Sequence, residues 1–115
     1  MRAAIIALLL TIASQAEADC DKLCDRDWWK TATAADVQAE LDAGADVTAR
    51  DQYGSTPLHE AAGNGSAKGI QALLDAGADP KVKDGLNKEP WLYAQFNKRL
   101  KYVEDYWPLL IRSIN

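Results

Sequence analysis

Histidine occurs once in this chain, at His59, and cysteine twice, at Cys20 and Cys24. A structural zinc site needs about four ligands, which these residues do not supply. The C-x-x-C spacing of a thioredoxin-like redox pair within a βαβ pattern is absent. No loop is dense enough in oxygen ligands to read as an EF-hand calcium site. There is no basic run, and 17 acidic side chains outweigh 13 basic ones for a net charge of −4. Neutralising several phosphates of a nucleic acid is therefore disfavoured. No apolar run reaches the roughly 20 residues that a membrane-spanning helix needs. Ser55 and Ser66 stand in no nucleophile elbow, so His59 has no activated nucleophile as partner. These absences argue against an enzyme, and no cofactor or metal is expected.

Residues 1–18 differ in character from the rest. Arg2 gives a positive start, Ala3–Ile12 is apolar, and Ala16-Glu17-Ala18 ends in small residues. This is the pattern of a secretory signal peptide. The expectation is a leader at 1–18 and a folded domain at 19–115, periplasmic or secreted, with no membrane attachment after cleavage. A lipid anchor on Cys20 would want an apolar Leu upstream, and Ala18-Asp19 precedes it instead. Loss of Arg2 and Glu17 together leaves the net charge unchanged. In an exported chain, Cys20 and Cys24 are read as one disulfide that fixes how the chain approaches its first helix. A free, regulatory or redox-active thiol pair is the alternative.

The chain repeats itself. LDAGADVTARD at Leu41–Asp51 returns as LDAGADPKVKD at Leu74–Asp84, 33 residues on, with seven of eleven positions identical. Between the copies, Asp51-Gln52-Tyr53-Gly54 reads as a turn in which Gly54 supplies the positive φ. Thr56 then caps a helix, and Pro57 takes its first position, where a missing N–H does no harm. Leu58, Ala61 and Ala62 make its apolar stripe. Gly63-Asn64-Gly65 is read as its break. Ser66 caps a second helix with Ile70, Leu73 and Leu74 inward, ended by Gly77 in a left-handed position. Gly69 inside that helix costs about 1 kcal/mol relative to Ala.

A period near 33, with TPLHEAA followed by LLDAGAD, resembles the ankyrin repeat. The resemblance covers roughly residues 24–98. It implies an all-α fold: a short ankyrin-repeat solenoid of helix-turn-helix units with hairpin-like turns and terminal capping helices. It divides the domain into a degenerate first repeat at 19–50, a full repeat at 51–83, and a degenerate repeat with cap at 84–115. Thr33-Ala34-Ala35-Asp36 is a near capping box opening the second helix of the first repeat. Glu40 replaces Leu73 there, giving the polar side that a terminal unit of a stack requires. Asn87 replaces the turn glycine in the third repeat, because Asn tolerates the left-handed region. Glu89-Pro90 replaces Thr56-Pro57, and Tyr93, Ala94 and Phe96 are expected to continue that helix. Lys98–Ile111 is read as a C-terminal capping helix that Pro108 kinks or resets.

The resemblance also assigns roles. Thr56, Pro57, Leu58, His59 and Gly77 belong to the structural motif, with Thr56 and His59 bonding at the helix N-terminus and to neighbouring repeats. Asp42, Asp46, Asp75 and Asp79 recur at the period and read as turn residues rather than paired catalytic carboxylates. The implied function is binding of a protein partner by a monomer, through the concave face and turn tips, with no chemistry of its own. That surface maps to Gln52, Tyr53, Ser55 and Asn64, with Gly63, in the full repeat. It maps to Lys30 and Thr31 in the first repeat, and to Leu86, Lys88 and Asn97 in the third. Exposed Tyr53 is the candidate hot spot. Trp28, Trp29, Trp91 and Trp107 are read as core or cap packing. The rival readings are a thiol-dependent protein acting through Cys20 and Cys24, and a dedicated protective or inhibitory partner of an exported enzyme.

Overall fold

The computed structural model describes residues 20–101 together with Pro108. The expected leader and most of the expected C-terminal helix lie outside the described residues. A short 3-10 turn, Asp21–Cys24, leads into α1, Arg26–Thr31, and α2, Ala34–Asp42. The full repeat supplies α3, Pro57–Asn64, and α4, Ala67–Asp75, and the third repeat supplies α5, Pro90–Ala94. There is no strand among the described residues. The first helices of successive units form one layer, with α3 packed against both α1 and α5. The second helices, α2 and α4, pack together in the other layer.

The hydrogen bonding repeats with the sequence. Thr33 and Thr56 each close a capping box, with Asp36 and His59 respectively, and Ser66 caps α4 through the Gly69 N–H. In the loops, the Asp51 carboxylate accepts from the N–H groups of Tyr53 and Ser55. One period later, the Asp84 carboxylate accepts from those of Leu86 and Lys88. Each loop is closed by backbone bonds, Asp51 to Ser55 and Asp84 to Lys88, so the turns are hairpin-like without strands. Gly54 has φ 76° and Asn87 φ 64°, the left-handed residues on which both turns depend. The Gly85 N–H donates to the Tyr53 carbonyl at 2.9 Å and stacks the second loop on the first.

The core runs through Leu23, Trp29, Val37, Leu58, Ile70, Leu73 and Leu74, all buried. In the first unit, Glu40 is half-buried and meets Lys22 at 3.8 Å, which gives the end of the stack its polar side. Four boundaries differ from the sequence reading. Gly63 and Asn64 continue α3, and only Gly65 leaves the helix. The first helix of the first unit starts at Arg26, two residues later than the period places it, because the Asp25 carboxylate caps it. The helix of the third repeat stops at Ala94, so Phe96 lies beyond it. Its N-cap, Glu89, makes no side-chain cap bond, and a five-residue helix is what remains when the Thr–His capping box is lost. Lys98–Lys101 is not helical either, so the expected capping helix does not begin at Lys98.

Trp29 explains a feature that the period left as a blemish. Its indole is fully buried and donates from Nε1 to the Leu23 carbonyl at 2.7 Å. The ring lies over two glycines of the next repeat. A Cβ on Gly65 would come within 2.8 Å of Trp29 Cε3, and one on Gly69 within 3.0 Å of Cζ3. Gly69 is thus the space that a large aromatic in the neighbouring unit requires, whatever it costs α4 in helix propensity. Trp28 meets Trp29 edge-on at 5.0 Å. Trp28 and Trp91 are half-buried against the core, while Trp107 lies outside the described residues.

Candidate functional site

His59 sits at the junction between the second and third units. It is buried, and both ring nitrogens are engaged. Nε2 is 2.8 Å from the Lys88 carbonyl, which can only accept, so Nε2 carries the proton. Nδ1 then accepts from Thr56, whose N–H is at 3.2 Å and whose hydroxyl is at 2.9 Å. Burial lowers the His59 pKa, against the pull of the Lys88 carbonyl. The neutral ring serves as a hydrogen-bonded strut between repeats. A general base needs a free acceptor nitrogen directed at a reacting group, and neither nitrogen is free here.

The loops and the first-helix layer enclose a groove of about 920 Å³. Its rim carries Tyr53 and Leu86, each 71% exposed, and Phe96, 82% exposed. These are the three exposed large hydrophobic side chains of the described residues, and all three line this one groove. The floor brings in Glu60 of α3, half-buried, and Tyr93 of α5. The Tyr93 hydroxyl donates to the Asp84 carboxylate. Burial and that bond push the Tyr93 pKa up to about 12. Burial alone would push Asp84 up, but the Tyr93 hydroxyl and the N–H groups of Lys88 and Leu86 hold its carboxyl low.

Of the sequence candidates, Gln52, Tyr53, Ser55, Asn64 and Leu86 line the groove together. Lys88 does not. Its N–H and carbonyl are taken by Asp84 and His59, and its ammonium stands 5.9 Å from the Tyr93 ring centroid. Asn97 is not a surface residue. It is buried, and its amide donates to the carbonyls of Ala62 and Gly65 at 2.8 and 2.9 Å. Lys30 is exposed and pairs with Asp27 at 3.1 Å. Arg26, Glu60, Tyr93 and Phe96 belong to the lining but were not singled out from the sequence. The period held the signal for Phe96, which occupies the same column as Lys30 and Gly63.

Cys20 and Cys24 lie at disulfide distance, with Cα atoms 5.0 Å apart. Cys20 is buried, and Cys24 is half-buried with its sulfur 3.9 Å from the Ser55 carbonyl. Between them Leu23 is buried, and its carbonyl holds the Trp29 indole. Neither cysteine is among the residues that line the groove. Among the described residues, no group of three or more His, Cys, Asp or Glu is arranged to hold a metal ion. No described helix is long and apolar enough to cross a membrane. Residues 39–89 match the family model of ankyrin repeats in many copies. A search of curated proteins returns no significant match.

Proposed function

Because the chain belongs to the ankyrin-repeat family, we propose that it is a non-catalytic protein–protein interaction module whose partner surface is the groove between the loops and α3. One observation carries this reading: Tyr53, Leu86 and Phe96 converge on a single groove while remaining open to solvent. Apolar side chains gathered in one exposed patch mark interaction sites. Rigid aromatics there offer large contact area at low entropic cost. The groove is built on helices and on loops tied down by Asp51 and Asp84, so little ordering is needed on binding. The signal-peptide pattern of residues 1–18 supports placing the encounter in the periplasm or outside the cell.

The test uses a photo-reactive phenylalanine analogue at Phe96 of the full chain, expressed in its own cell. A parallel variant carries it at Gln71, on the second-helix layer. A defined crosslinked protein from the Phe96 position, lost when Tyr53 and Leu86 are changed to Ser, is the expected result. Crosslinks at Gln71 and none at Phe96 would place the partner surface elsewhere.

A further inference from the structure

The groove pairs its apolar rim with an unbalanced charge. Its lining holds three carboxylates, Asp51, Glu60 and Asp84, against one guanidinium, Arg26. Two of the carboxylates are committed to the protein: Asp51 to the N–H groups of its own turn, and Asp84 to its turn and to the Tyr93 hydroxyl. Glu60 stands on the floor, half-buried, where desolvation disfavours its charged form. Arg26 offsets this in part, while Asp51 and Asp25 add further negative potential. A cation brought to this point would relieve an existing electrostatic cost, whereas an anion would add to it. The aromatic walls strengthen the preference, because ring faces attract ammonium and guanidinium groups. A second copy of this chain is disfavoured as occupant, since each copy carries a net charge of −4.

We propose that the groove accepts a segment of a partner protein that presents a lysine or arginine between apolar side chains. The cation is directed to Glu60, and the apolar flanks lie on Tyr53, Leu86 and Phe96. The groove volume, about 920 Å³, matches a few side chains rather than a whole domain. This inference rests on the groove being the partner surface.

The test is selection of a random dodecapeptide display library on the full chain, with the Phe96→Ser variant run alongside. The expected peptides are enriched in Lys or Arg beside aromatic or aliphatic residues, and are lost on Phe96→Ser. By calorimetry, replacing the selected cation with Gln weakens binding about tenfold, in line with a desolvated charge pair and ring contact. Glu60→Gln removes most of that tenfold difference and leaves only the part that the ring contact supplies. Arg26→Gln changes an exposed residue and tightens the cationic peptide instead. Neutral or acidic peptides that still depend on Phe96 would overturn the cationic partner and leave the groove reading standing. Selection indifferent to Phe96→Ser, or no selection at all, would overturn both.

Discussion

Arg99 Nη1 stands 2.7 Å from the carbonyl of Trp29, across 70 residues of chain. The same nitrogen lies 3.0 Å from the Lys30 carbonyl and 3.3 Å from that of Asn64. These carbonyls belong to the last turns of α1 and α3, where the chain has no intrahelical donors left and the helix dipole is negative. Asn97 completes the arrangement by donating to Ala62 and Gly65 and accepting from the Arg99 N–H. The third repeat, short of helix, is thus tied to the other two through their C-termini. Asn97→Ala leaves buried carbonyls unmet and should cost about 3 kcal/mol in urea denaturation; Arg99→Ala should cost about 1–2 kcal/mol. A loss below about 0.5 kcal/mol for Asn97→Ala would mean that the latch does not hold the stack.

Trp29 and the two glycines beneath it make a coupled set. Gly65→Ala places a Cβ 2.8 Å from both the indole and the Ala61 carbonyl, and the backbone oxygen cannot move aside. Destabilisation of about 1–3 kcal/mol is expected, as for overpacking of a core. Gly69→Ala has two opposed effects: about 1 kcal/mol gained in helix propensity, and contact with Trp29 at 3.0 Å. In the wild-type background the two should nearly cancel. With Trp29→Leu the contact goes, and Gly69→Ala should then stabilise by about 1 kcal/mol. Additivity between the two substitutions in a double-mutant cycle would refute the coupling.

His59 makes stability depend on pH. Its folded pKa is depressed below 6.5, chiefly by burial, so the unfolded chain takes up the proton first as pH falls. The contribution of the neutral ring is present above pH 6.5 and is lost as pH falls through the lower folded value. Protonation would put a hydrogen on Nδ1, facing the Thr56 N–H that it now accepts from. Unfolding free energy should therefore fall when pH drops from about 7.5 to about 5.5. Thermal melts of His59→Gln, which does not titrate, should lie lower throughout and lack that slope. An identical slope in the variant would assign the pH dependence to another group.

Local chemistry was readable in the sequence; contacts between distant columns were not. The Thr56 and Thr33 capping boxes, the Gly54 and Asn87 turns and the polar Glu40 each depend on neighbours a few residues away. The 33-residue period relates the Thr33 and Ser66 caps and the Gly54 and Asn87 turns from one unit to the next. Gly69, by contrast, looked like a defect because its reason is an indole 40 residues earlier. Asn97 looked like a surface position because the period placed it in register with Asn64 and Thr31. Its burial follows from α5 ending at Ala94, which turns the chain inward. The loss of the Thr–His capping box in the third repeat was visible. Its consequence, a shortened helix that frees Phe96 for the rim, needed the structure. Nothing in the sequence sets Glu60 apart, because the groove that half-buries it is completed by residues of the neighbouring repeats.

The structural and redox readings of Cys20 and Cys24 predict different outcomes when the pair is removed. A loop this small restrains the unfolded chain by about 2 kcal/mol on the loop-entropy account. Replacing both residues with Ser should therefore cost about 2 kcal/mol in denaturant titration. The change should also reach Trp29, because Leu23, between the cysteines, holds the indole through its carbonyl. A loss of near-ultraviolet tryptophan ellipticity is the expected signature. The groove takes no atom from either cysteine, although Cys24 borders Ser55, which lines it. Partner crosslinking from Phe96 should then survive the double substitution at temperatures where the protein stays folded. Loss of crosslinking with the fold intact, together with ready reduction at the potential of the glutathione pool, would point to thiol chemistry as part of the function.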